Sequence, residues 1–129
     1  MKATGSFEVK MTPLDFSLQA SDGAQLGRMS IDKTFHGDLS AQSKGEMLSA
    51  MTSVKGSAGY VAIEQTSGTL YGKKGSFILQ HFGTMAGNDD RLILEVVPNS
   101  GSGELEKISG SMKIIIKEGK HFYEFEYQL

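Results

Sequence analysis

Few side chains in this sequence are of types that do chemistry, and the two in the most suggestive surroundings are Glu64 and His81. Glu64 ends the alternating run Tyr60-Val61-Ala62-Ile63-Glu64, and His81 stands in the largely apolar stretch Phe77-Ile78-Leu79-Gln80-His81-Phe82. A carboxylate on an apolar inner face has a raised pKa and can serve as general acid or base near neutral pH. A histidine beside it can orient it, shuttle a proton or contact a ligand. The plainer alternative is that Glu64 bonds His81, Tyr60 or a buried water and holds the strand register. Tyr60 and Tyr123 complete the candidate ligand-binding set, since each could stack on a bound molecule and direct its hydroxyl at a polar group, or serve as a core aromatic.

Other chemistries are poorly supported. His36, His81 and His121 lack paired-ligand spacings such as HxH or HExxH, so no metal site is expected. The chain has no Cys, which removes disulfides, thiolate metal sites and cysteine nucleophiles together. Gly101-x-Gly103 lacks the third glycine of a dinucleotide fingerprint, and Gly72-Lys73-Lys74-Gly75-Ser76 lacks phosphate-loop spacing. Both read as turns, and no cofactor is expected.

The 129 residues suffice for one domain with a single core, so residues 1–129 are read as one unit. Apolar residues make up 39% and charged residues 22%, as in ordinary globular chains, and no apolar run approaches the roughly 20 residues of a membrane span. A net charge of -2 provides no broad basic footprint for nucleic acid. The N-terminal MKATGSFEVK lacks the apolar stretch of a signal peptide, so a cytoplasmic location is expected.

The elements that must position these residues are strands. Phe7, Val9 and Met11 alternate with polar neighbours, as do Met29, Ile31, Lys33 and Phe35, and again Met112, Ile114 and Ile116. Turn-forming clusters such as Ser21-Asp22-Gly23, Gly72-Lys73-Lys74-Gly75, Gly87-Asn88-Asp89-Asp90 and Glu118-Gly119 divide the chain into about eight strands, a number at which a sheet closes. Gly103-Glu104-Leu105-Glu106-Lys107-Ile108 is the one candidate helical turn. Short connections favour antiparallel neighbours, and closure removes exposed edges, so the pattern predicts an all-β, single closed antiparallel meander barrel.

Registers follow from the turns. A connection from Met51 to Ala58 sets Gly45 opposite Glu64, Met47 opposite Ala62 and Leu39 opposite Leu70. With Lys73-Lys74 as loop residues, Leu70 lies opposite Phe77, Thr66 opposite His81, and Glu64 opposite Gly83, with His81 diagonal to Glu64. A two-residue Gly37-Asp38 turn would bring Arg28, Asp32 and His36 to the Glu64 face. A three-residue bulged loop brings Phe35, Ile31 and Met29 there instead, and is preferred because the inner face then stays apolar. An Glu118-Gly119 turn pairs Ile116 with His121, Ile114 with Tyr123 and Met112 with Phe125 inside, and Lys113 with Glu124 outside.

Several stretches carry a resemblance: Arg28-Met29-Ser30-Ile31-Asp32-Lys33, Ser43-Lys44-Gly45-Glu46-Met47, Lys55 through Glu64, Gly75-Ser76-Phe77, and Lys120-His121-Phe122-Tyr123-Glu124-Phe125. Through nearly its whole length the chain resembles an uncharacterised family of small bacterial proteins known as a domain of unknown function. That resemblance implies the eight-stranded allene oxide cyclase-like barrel and no established activity. Gly101-Ser102-Gly103-Glu104-Leu105 through Gly110 is similar to the Gly-Thr-Gly-x-Phe segment of allene oxide cyclases and plant dirigent proteins, with Ser102 in place of Thr and Leu105 in place of the aromatic. It carries no catalytic group in those families. Related barrels act on apolar or phenolic molecules and often associate, so the resemblance implies a lumen ligand and a homo-oligomer.

Three functions are therefore expected as alternatives. The first is a barrel that binds an apolar or weakly polar small molecule through Glu64, His81, Tyr60 and Tyr123, with neither nucleic acid nor membrane as partner. The second is an isomerase or cyclase using Glu64 as general acid or base while the barrel excludes water. The third is a non-catalytic structural or interaction module. A binder or enzyme needs an open lumen with a lone polar cluster, whereas a module needs a filled core and a broad exposed apolar patch.

Overall fold

The period-two alternation becomes strand from end to end. The computed structural model describes all 129 residues, and its strands are β1 (Lys2–Leu14), β2 (Gln25–Gly37), β3 (Leu39–Met51), β4 (Ser57–Leu70), β5 (Lys73–Ala86), β6 (Asp89–Val96), β7 (Ser102–Gly103), β8 (Ser109–Lys117) and β9 (Lys120–Gln128). Each pairs antiparallel with its neighbours in the order β4-β3-β2-β1-β9-β8-β6-β5, and β4 with β5 closes the ring. Eight strands thus form the barrel. The two-residue β7 adds to β5 through Gly75–Gly103 and Ser76–Ser102, beyond the end of β6. No helix is long and apolar enough to cross a membrane. The segment expected as a helical turn is instead two successive turns, closed by Leu105 N–H to Ser102 and Ile108 N–H to Leu105.

Three of the expected registers hold. Gly45 lies opposite Glu64 and Leu39 opposite Leu70. The three-residue loop around Asp38 sets Phe35 against Ala41, Ile31 against Gly45 and Met29 against Met47. Met112 pairs with Phe125 and Lys113 with Glu124. The β4–β5 hairpin differs. Its turn is Tyr71-Gly72, not Lys73-Lys74, so Ala62 lies opposite His81, Glu64 opposite Leu79, and Tyr60 opposite Gly83. Both turn residues take left-handed φ, 48° at Tyr71 and 77° at Gly72, the conformation that matches strand twist in a two-residue hairpin. The turn was missed because tyrosine, unlike Asn or Gly, gives no signal for that region. The displacement is even, so every side chain keeps its face, and His81 stays diagonal to Glu64.

The barrel interior is packed at one end only. Phe35, Leu39, Leu70, Phe77, Leu79 and Phe125 fill that end, and Leu105 and Ile108 from the β7–β8 connection plug it. Tyr123 locks it: its hydroxyl accepts from Leu39 N–H at 2.9 Å and donates to the His36 carbonyl at 2.9 Å, tying β9 to the β2–β3 turn. Tyr123→Phe leaves a buried amide without its partner, and a loss of about 1–3 kcal/mol in urea unfolding is expected. Toward the other end, β6 and β8 share only the Glu95–Ser111 pair. There the lumen opens.

Candidate functional site

The polar cluster lies beneath the open end, and the strand rows explain how it assembles. Lys33, Ser43 and Thr66 stand side by side across β2, β3 and β4, while Glu64 occupies the next row and His81 the one after. Gly45 sits between Ile31 and Glu64 in the middle row. Having no side chain, it lets the long Lys33 stem reach across to the carboxylate. A Cβ at Gly45 would come within 1.9 Å of the Ile63 carbonyl oxygen, so β3 and β4 approach closely there. Opposite Tyr60, Gly83 does similar service: a Cβ would lie 2.4 Å from the tyrosine ring, which occupies that space beside His81.

Glu64 is fully buried and saturated with donors. Its Oε1 accepts from Ser43 Oγ at 2.6 Å, and Thr66 Oγ1 in turn donates to Ser43 at 2.9 Å. Its Oε2 accepts from Lys33 Nζ at 2.8 Å and contacts His81 Nε2 at 2.5 Å. Lys33 is further held over the Phe7 ring, 4.9 Å from its centroid. No buried polar side-chain atom in the barrel lacks a partner. Burial pushes the Glu64 carboxyl upward, but the hydrogen bond from His81 and the Lys33 charge outweigh it and hold the group at about 2. This corrects the expectation of a raised pKa. Glu64 is an anion at neutral pH, and with its oxygens engaged it is no free acid or base.

The carboxylate dictates the histidine's proton. Because Oε2 can only accept, Nε2 carries the hydrogen, and Nδ1 turns toward the Tyr60 hydroxyl 3.4 Å away. That separation is long for such a bond, so neither group is tightly engaged. Burial, followed by the negative charge of Glu64, pushes the Tyr60 hydroxyl upward, so it stays protonated.

Above this floor is a cavity of about 610 Å³, with Phe7, Val9, Ile31, Met47 and Ile114 among its walls and Lys33, Tyr60 and His81 at its base. Asp90 and Arg91 stand near its rim, and His121 stacks on Phe7 in its wall. Of the four residues expected to meet a ligand, the structure brings His81 and Tyr60 to the cavity and places Glu64 behind His81. Tyr123 lies in the packed end with its hydroxyl committed to backbone, away from this cluster. Lys33, Ser43 and Thr66 were not foreseen. The available signal was parity, since each shares the inward face with Phe35, Gly45 and Glu64. His36 is outside, bonded to Glu8.

A family model described as "Protein of unknown function (DUF3224)" matches residues 3–127. Among solved structures, a crystal structure of a protein with unknown function from the same family, from Shewanella oneidensis MR-1, is 58% identical with a TM-score of 0.98. The match covers 100% of this chain and 96% of that one. No curated protein matches the chain.

Proposed function

The chain belongs to the DUF3224 family, and we propose that it binds a small, largely apolar molecule in the half-open lumen, with His81 and Tyr60 supplying the polar contacts. One observation carries this reading. The barrel is packed at one end and hollow at the other, and the hollow part ends on the only buried charged cluster, its walls mostly Phe, Val, Ile, Leu and Met with Thr84, Asp90, Arg91 and His121 among them. Packed interiors leave few voids larger than a water, so a cavity of this size beside polar groups is a feature of a binding site. The ligand is uncharged or weakly polar. Lys33 is already neutralised by Glu64, so no unpaired cation at the base calls for an anionic headgroup. A cytoplasmic setting suits such a carrier or enzyme.

A thermal-shift screen with apolar and phenolic compounds tests the reading. A ligand should raise the wild-type Tm progressively with concentration, by the equivalent of about 2.7 kcal/mol at a hundredfold excess over Kd. Met47→Trp, which places an indole ring in the lumen, should weaken the shift. If no compound moves the wild-type Tm, or the variant responds equally, the lumen is not the site.

An outer face favours self-association as a second property. Leu48, Val61, Phe82 and Ile93 form one continuous row across β3 to β6, with Ile63 beside it, and the first three are each more than two-fifths exposed. Such a patch fits a second copy of this chain. A two-fold axis along the row sets Val61 and Phe82 on their own copies, places Ile63 over Gly59, where no side chain competes for space, and brings Glu95 to Arg91. Light scattering should show a dimer that Phe82→Glu converts to monomer; a monomeric wild type rejects this surface.

A further inference from the structure

Resting on the lumen-binding reading, we infer that the Glu64–His81–Tyr60 array is a proton-transfer centre: His81 Nδ1 is the base, Tyr60 the oxyanion donor, and Glu64 a positioning residue. The substrate class is an apolar β,γ-unsaturated carbonyl compound with an acidic C–H between the carbonyl and the double bond, and the reaction moves that double bond into conjugation.

The geometry assigns these roles by exclusion and by aim. Glu64 lies behind His81 with three donors on its two oxygens, so it does not reach a molecule in the cavity. What it does is hold Nε2–H, which fixes the tautomer, leaves the Nδ1 lone pair as the acceptor, and stabilises the imidazolium once Nδ1 takes a proton. Nδ1 and the Tyr60 hydroxyl both stand at the cavity base, and their loose 3.4 Å contact can open to admit a substrate between them. A purely structural tie would close that gap.

The step balances without any co-reactant. Nδ1 removes the proton from carbon, the C–H electron pair becomes the enolate double bond, and the carbonyl π pair moves to oxygen, where the Tyr60 O–H donates a hydrogen bond. The same proton then returns from Nδ1 to the γ carbon of the dienolate, the pair on oxygen re-forms the C=O, and the double bond ends conjugated with it. Apolar walls keep water from the intermediate.

A nitro-substituted benzisoxazole probes such a base directly. Removal of its C–H proton sends the electron pair into a forming C≡N bond as the N–O bond breaks, releasing a coloured phenolate whose oxygen Tyr60 can meet. The wild type should turn it over saturably, and His81→Gln should lose at least about a hundredfold in kcat. Tyr60→Phe should lower kcat with little change in KM. Glu64→Gln should displace the pH profile of kcat, which a residue that only holds the fold would leave in place. The groups facing His81 in that profile are Glu64 and Tyr60 from β4, Lys33 from β2, His121 from β9, and Asp90 and Arg91 from β6.

Binding and chemistry separate cleanly. An unreactive nitrobenzotriazole of the same shape is titrated in parallel by thermal shift. If it binds and the wild type shows no saturable turnover, the catalytic inference falls while the binding reading stands. Turnover unchanged in a folded His81→Gln also overturns it. Should His81→Gln fail to fold, Tyr60→Phe and the wild-type pH profile decide: unchanged kcat in the former, or a wild-type kcat that does not fall on the acid side of the profile, rejects the assignment. If neither compound binds, both readings fail.

Discussion

Glu64→Leu should destabilise the barrel by about 3–5 kcal/mol, the usual consequence of removing one partner from a buried ion pair. The lost carboxylate strands the Lys33 ammonium, almost wholly buried between the Phe7 and Phe35 rings, and leaves Ser43 Oγ and His81 Nε2 without an acceptor. Lys33→Met in the same chain should restore a substantial part of the loss, because it removes the stranded charge while its unbranched stem fills similar volume. A double-mutant cycle in urea gives the coupling, and additive losses would mean that Lys33 and Glu64 do not act as a pair.

The same group imposes an acid limit. The folded-state value of Glu64, about 2, lies below its ordinary 4.5, so between these values the unfolded chain binds more protons. Stability from this group is therefore fully present above about pH 4.5 and is lost as pH falls toward 2, a span of about 3 kcal/mol. Glu64→Gln should flatten the wild-type stability profile across that window. An identical acid profile in both proteins would show that the carboxylate is not held as described.

Gly45→Ala should be the second most damaging change, at about 3 kcal/mol, the upper end for overpacking, because the obstruction is backbone and cannot rotate away. The added methyl would meet the Ile63 carbonyl oxygen and the Glu64 Cα, forcing β3 and β4 apart where Lys33 crosses to the carboxylate. Stability and the cavity ligand shift should fall together. Gly72→Ala provides the contrast, since a Cβ there meets nothing and its penalty comes only from the left-handed φ of 77°. If the two variants melt alike, close approach at Gly45 is not what requires glycine.

The lumen also bears on the choice among the three expected functions. An open cavity over a lone polar cluster supports the binder and the enzyme, while the outer row through Val61 and Phe82 is the apolar patch expected of an interaction module. The two occupy opposite faces of β4, reached by residues of opposite parity. A single strand can therefore serve both, with Tyr60 and Glu64 inside and Val61 and Ile63 outside.

Much of this was legible along the chain because strand geometry is local. Alternation and spacing assigned the inward faces of β2 to β5, β8 and β9, and the turns at Asp38 and Glu118-Gly119 carried their own chemistry, so the β2–β3 and β8–β9 registers followed from spacing. At Tyr71-Gly72 spacing failed, since nothing about a tyrosine announces left-handed φ. Even that error kept Glu64 diagonal to His81, because an even displacement preserves parity. What local rules could not supply was the third dimension of the site. Lys33 shows inward parity between Ile31 and Phe35, yet parity alone reads it as an anomaly; only the Gly45 gap on the neighbouring strand makes it the partner of Glu64, two strands away. Tyr123 shares the inward face with Tyr60, yet the two lie at opposite ends of the lumen, a separation set by how the strands stagger around the barrel. The charge of Glu64 was the most non-local quantity of all. Burial on an apolar face argued for a raised pKa, and the opposite result depends on three donors from β2, β3 and β5 converging on one carboxylate, which only the closed barrel brings together.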